Sequence, residues 1–172
     1  MNRNFQEIDD DIIKKKRLIK EMIYKDTDII ELLNNPELEL SSPDEYLDVN
    51  IYSYNRITPV QSKVKNFICF DIDDIDPSKT NQVMKQQQII FKVFCHEDNI
   101  KTNLGGDRHD LLSYCIRDIF NWSNIFGIQL KLVYNVSSVT DTEYSCRTLK
   151  FETIVPNSLK EAVTKSEYGT VY

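Results

Sequence analysis

The sequence predicts an α+β fold, with one antiparallel sheet of about four strands, arranged as two hairpins, and a central helix packed on one face. Three observations carry that expectation. In DRHDLLSYCIRDIFNWSN, residues 107–124, Leu111, Leu112, Cys115, Ile116, Ile119 and Phe120 recur at the three-to-four spacing of a helix with a single apolar stripe. On either side of it the period changes to two. Ile89, Phe91, Val93 and Cys95 alternate with Ile90, Lys92, Phe94 and His96, and Ile128, Leu130, Leu132 and Tyr134 alternate with Gln129, Lys131, Val133 and Asn135, as in strands with one covered face. Within each strand pair the polar link is too short for a parallel crossover, so each pair reads as a hairpin.

Taken in order, residues 9–34 form the first helical segment. Asp9 or Asp10 can cap it, Ile12, Leu18, Ile19, Met22, Ile23, Ile29, Ile30 and Leu33 supply its apolar side, and Asn34-Asn35-Pro36 ends it. Asp26-Thr27-Asp28 interrupts the run, so two helices are the alternative, with Asp28 capping the second. Residues 36–63 carry turn formers and three prolines between isolated large side chains, which predicts a long extended arm lying against its own domain or a neighbour. Residues 64–73, a turn at 74–81 containing Pro77, and residues 82–96 give the first hairpin. Gly105 and Gly106 break the chain before the central helix, whose first amides Asp107 can cap. Residues 128–137, a turn at 137–142 and residues 144–155 give the second hairpin. Residues 1–156 therefore read as one domain and 157–172 as a tail without a core pattern.

A chain of 172 residues with 41% hydrophobic and 28% charged residues suits one soluble domain. Its net charge of −6 disfavours holding nucleic acid by phosphate contacts, which needs clustered Lys or Arg. The basic run Lys14-Lys15-Lys16-Arg17 reads as a solvated helix face or as a contact with an acidic neighbouring subunit. Cys69, Cys95, Cys115 and Cys146 each lie in apolar runs outside any Cys-x-x-Cys or zinc pattern. They are expected to be buried thiols in a reducing compartment. The polar, acidic amino terminus excludes a signal peptide, and no apolar run is long enough to span a membrane. Synthesis in a cytoplasm, with no membrane contact and no cofactor, is expected.

The strongest enzymatic hint is FICFDIDD, residues 67–74, which resembles the first motif of haloacid-dehalogenase-type phosphatases. Under that reading Asp71 is the nucleophile, Asp73 the acid/base and magnesium lies between them, with GGDRHD supplying later acids. Against it, that chemistry needs a parallel βαβ sheet, and no downstream Lys ends a strand. Asp71, Asp73, Asp74 and Asp76 lack the Gly and Glu of a calcium loop and read as an acidic surface turn. His96 and His109 are the only histidines. Trp122 lies off the apolar stripe and marks either a contact with another chain or burial under its own loop.

The order QQIIFKVFCHED, DRHDLLSYCIRDIF and then two strands resembles the tail-terminator or tail-completion proteins of long-tailed bacteriophages. IKEMIYKDTDIIELLNN, followed by an arm and YSYNRITP, is likewise similar to phage neck proteins. The resemblance covers roughly residues 18–156 and rests on element order. It implies a non-enzymatic α+β subunit of the virion, assembling as a ring, usually a hexamer. Such a ring caps the tail tube, docks it to the head connector and lets DNA pass without specific binding. The family supplies no active-site residues. On that basis Asp73, Asp74 and Asp76 are candidate lumen residues and Trp122, Tyr52 and Tyr54 candidate interface residues. A stopper or adaptor of the neck is the nearest alternative. A magnesium phosphatase using Asp71 and Asp73 and an unrelated α+β binding domain are the others.

Overall fold

The computed structural model describes residues 11–55, 66–75, 83–140 and 143–156. The first helical segment is two helices, α1 (Asp11–Lys25) and α2 (Thr27–Leu33). The cap of α2 is Asp26, whose Oδ1 accepts from the Ile29 N–H at 2.9 Å, and not Asp28, which lies inside the first turn. The other candidate caps, Asp9 and Asp10, lie outside the described residues.

The expected arm is not extended over the part that is described. After Asn34, a left-handed residue at the end of α2, the chain makes a 3-10 turn at Pro43–Tyr46 and then a two-residue strand, β1 (Ile51–Tyr52). Tyr46 and Ile51 are fully buried, so residues 36–55 fold back onto their own domain. Apolar side chains spaced between turn formers gave no period to read, and tertiary burial settled them.

The sheet has five strands in the order β1-β2-β3-β5-β4, with β2 at Asn66–Ile75, β3 at Met84–His96, β4 at Lys131–Val139 and β5 at Tyr144–Pro156. Both hairpins are present: β2 is antiparallel to β3 and β4 to β5. The fifth strand, β1, adds to β2 in parallel, with Ile51 opposite Ile68. The expected turn at 137–142 starts later, because β4 runs on to Val139.

Helix α3 (Arg108–Phe120) lies across the face formed by Ile68, Phe70, Ile72, Ile89, Phe91, Val93, Leu149 and Phe151, together with α1 and α2. It stops four residues before the expected end. Asn121 turns extended, its side chain accepts from the Leu132 N–H at 2.9 Å, and the Trp122 N–H goes to Leu130 O at 2.8 Å. The edge of the sheet thus captures the residues that would have continued the helix. Asp107 precedes α3, yet its carboxylate meets Lys101 at 2.9 Å and makes no capping bond.

The core closes around Phe91, whose ring lies 5.7 Å from Phe70, 5.0 Å from Phe120 and 5.7 Å from Phe151. A smaller cluster of Tyr52, Phe67, Cys69, Tyr144 and Phe94 covers one end of the opposite face. No described helix is long and apolar enough to cross a membrane. Because Phe91 joins both hairpins to α3, Phe91→Ala should cost about 3–5 kcal/mol, read as a lowered urea midpoint with an unchanged slope.

Candidate functional site

The acidic stretch at the end of β2 is divided between the two faces of the sheet, since successive residues of a strand alternate. Asp74 points to the helix side, where its Oδ2 meets Lys85 at 2.5 Å and its Oδ1 accepts from Gln87 at 2.8 Å. Burial opposes ionisation of this carboxyl, but the bonds from Lys85 and Gln87 outweigh it and hold its pKa below the ordinary value. Gln87, fully buried, also accepts from Lys15 at 2.5 Å, and Lys15 pairs with Asp11 at 2.8 Å. This chain of polar groups anchors α1 to the sheet and leaves Asp74 little freedom to line an open lumen.

Asp71 and Asp73 face the other side. The Asp71 Oδ1 is 2.6 Å from Lys16 and accepts the Ile72 N–H at 2.9 Å. Asp73 is exposed opposite Gln88. Asp76 lies outside the described residues. The parallel βαβ unit that an aspartyl-phosphate mechanism uses is not formed here: β2 pairs antiparallel with β3, and its parallel partner β1 is two residues long. The Asp71 carboxylate instead serves as a strand-edge cap held by α1.

The two histidines have separate partners. His96 ends β3 between Asp98 at 3.3 Å and Glu143 at 3.4 Å. His109, in the first turn of α3, is 6% exposed and lies 3.4 Å from Asp110. Asp107, His109 and Asp110 are the one described cluster with metal-like spacing. Both carboxylates already have cations, Lys101 for Asp107 and Arg147 at 2.6 Å for Asp110. The cluster is close to neutral without a metal and ties α3 to β5.

Of the aromatic candidates, Tyr52 is taken up by packing. It is 4% exposed, and its hydroxyl donates to Val49 O at 2.5 Å. Tyr54, 5.6 Å from it ring to ring, is half-exposed. Trp122 is also exposed, held by a positive φ of 61° in the turn after α3.

The largest feature that the sequence does not disclose is the outer edge of β4. Val133 is an extra residue between Leu132 and Tyr134, which face Phe151 and Lys150. This bulge reverses the strand's faces, so Tyr134, expected to point inward, is 48% exposed and Asn135 takes the inner side opposite Leu149. Beyond the bulge the Thr140 N–H bonds Tyr144 O at 2.9 Å, and alternation turns the backbone groups of Asn135, Ser137 and Val139 away from β5. No strand meets them among the described residues. The same stretch exposes Val133, Val136 and Val139, the last at 75%. A one-residue insertion leaves no mark in composition, and alternation read straight through Val133 gives the wrong face for everything after it.

Three comparisons bear on the chain. The family model described as YomW matches residues 9–153. No protein of curated function matches. Among solved structures, a chain of the virion of a native gene transfer agent particle is similar at 11% identity and a TM-score of 0.42, covering 62% of this chain and 78% of that one.

Burial lowers the His109 pKa from 6.5, with Arg147 also lowering it and Asp110 and Asp107 opposing. The fold therefore keeps the imidazole neutral where the unfolded chain protonates it. That stability is complete above about pH 6.5 and declines as the pH falls through the lower folded value. Urea midpoints at about pH 7.5 and 5.5 should show a loss on acidification that His109→Gln reduces.

Proposed function

The chain belongs to the YomW family, which is phage-associated, and we propose that it is a structural subunit of a phage virion that assembles with copies of itself into a ring in the tail or neck. The observation that carries its part in a larger assembly is the outer edge of β4, which no described strand covers. Exposed strand edges template pairing with other chains, and proteins that remain monomeric blunt them with charge, proline or a covering loop. Here the stretch Asn135–Val139 carries no charge or proline, and among the described residues no loop or strand covers it, so that Val136 and Val139 are displayed beside outward-facing backbone groups.

The finer assignment follows the resemblance of the core to tail-terminator and tail-completion proteins. Such a subunit caps the tail tube, meets the head connector or stopper on its other side and lets DNA through. A net charge of −6 and an exposed Asp73 suit a passage that does not retain phosphates. In that position the protein works through its surfaces and performs no chemistry on a bound molecule. A stopper or adaptor of the same junction presents the same requirements and is separated from the terminator by which partner the β4 edge binds.

The purified chain, at 20.2 kDa, should sediment as a closed oligomer, six copies giving 6 × 20.2, about 121 kDa, with a central hole in electron micrographs. A monomer at all concentrations that also fails to bind tail tubes would overturn the reading. Replacing Val136 and Val139 together with Lys should leave the circular dichroism spectrum intact and abolish binding to tail tubes or connectors.

A further inference from the structure

Helices α2 and α3 and the loop before α3 enclose a cleft of 590 Å³. Its floor is Leu32, Leu111 and Cys115, and Leu104 and Tyr114, both largely exposed, form its lip. Asp28 and Glu31 stand on its α2 rim, exposed and without a cationic partner among the described residues. The cation that also lines it, Arg108, is committed elsewhere: its Nη1 donates to Leu32 O at 2.8 Å and its Nε to Asn99 O at 2.7 Å. The cleft is therefore apolar below and negative above. Consistent with this, burial pushes the Cys115 thiol up to about 11, with Asp26, Asp28 and Asp118 adding to the effect.

The same chain carries the complement on another surface. Within the basic run of α1, Lys15 is buried on Gln87 and Lys16 is bound to Asp71, so both serve the fold. Arg17 is exposed on the outer side, with Ile13 one helical turn before it. An aliphatic side chain beside an arginine at helical spacing matches an apolar floor beneath an acidic rim.

We propose that the α2–α3 cleft receives the Ile13–Arg17 face of α1 from a second copy of this chain, with Arg17 meeting Asp28 and Glu31. This rests on the ring reading above and specifies its lateral contact. The two surfaces share no residue, so the contact can repeat head-to-tail from copy to copy, the type that closes into a ring. It also leaves the β4 edge available to the other virion proteins.

Charge reversal of the full chain tests this, with oligomer size read by sedimentation velocity at about 50 and 500 mM salt. Arg17→Glu alone and Asp28→Lys with Glu31→Lys should each weaken assembly at least tenfold at low salt, and the three changes together should restore most of it. Wild-type assembly should weaken at high salt. An oligomer that forms normally in both reversed variants, with native circular dichroism, overturns this contact while leaving the ring intact. Failure of the combined variant to recover, when each variant is folded, does the same. A wild-type chain that never associates removes the ring reading and this contact with it.

Discussion

The pairing of β3 with β5 is the constraint on which the architecture depends. All thirteen residues of β3 face partners on β5, from Met84 opposite Pro156 to His96 opposite Tyr144. These strands are far apart in sequence, and joining them leaves the intervening chain to cross the sheet. Helix α3 makes that crossing, and its apolar stripe is buried because Phe91 and Phe151 are brought together beneath Phe120. The pairing also fixes the position of β4. With β5 occupying the place beside β3, the strand that precedes it in the chain can only be added outside, and so becomes the rim.

The two rims of the sheet are finished differently. Along β2, Asn50 O takes the Ile68 N–H, Asp71 takes the Ile72 N–H, and Lys16 holds Asp71 while also donating to Ser53 O. Along β4, the turn after α3 covers only the first residues, through Asn121 on Leu132 and Ser123 O on the Leu130 N–H. Past the bulge that cover ends. Burying about 25 cal/mol per Å² of apolar surface against another chain would offset the cost of leaving Val133, Val136 and Val139 in water. Among the described residues, one edge of the sheet is guarded and the other is not.

Much of this fold was legible in the residues. The stripe Leu112, Ile116 and Phe120 and the alternation Ile89, Phe91, Val93 and Cys95 are local periodicities imposed by burial on one side, and both are realised. What was hidden depends on contacts distant in sequence. Nothing near Ile51 announces that it pairs with Ile68. Asp26 and Asp28 are equivalent candidates until the turn geometry selects the first, and Asp107 is drawn from its cap by Lys101. The candidate surface fared worse than the core for the same reason. Tyr52 and Asp74 look like surface residues by type, and one is buried by neighbouring aromatics while the other is bound by Lys85 and Gln87.

The inner side of α1 is held to the sheet by a chain of polar groups. Lys15, 6% exposed, would carry a large desolvation cost alone. Asp11, the Gln87 amide and the ring of Phe126 at 5.5 Å together offset it. Gln87 passes the connection to Asp74, and so to β2 and Lys85. Lys15 and Gln87 are both buried, so removing either would take a bond from the other inside the fold, and the pair holds α1 in this orientation. The outer face that displays Lys14 and Arg17 is thus fixed before any partner arrives. A helix fixed in this way would lose little further conformational entropy on meeting a partner.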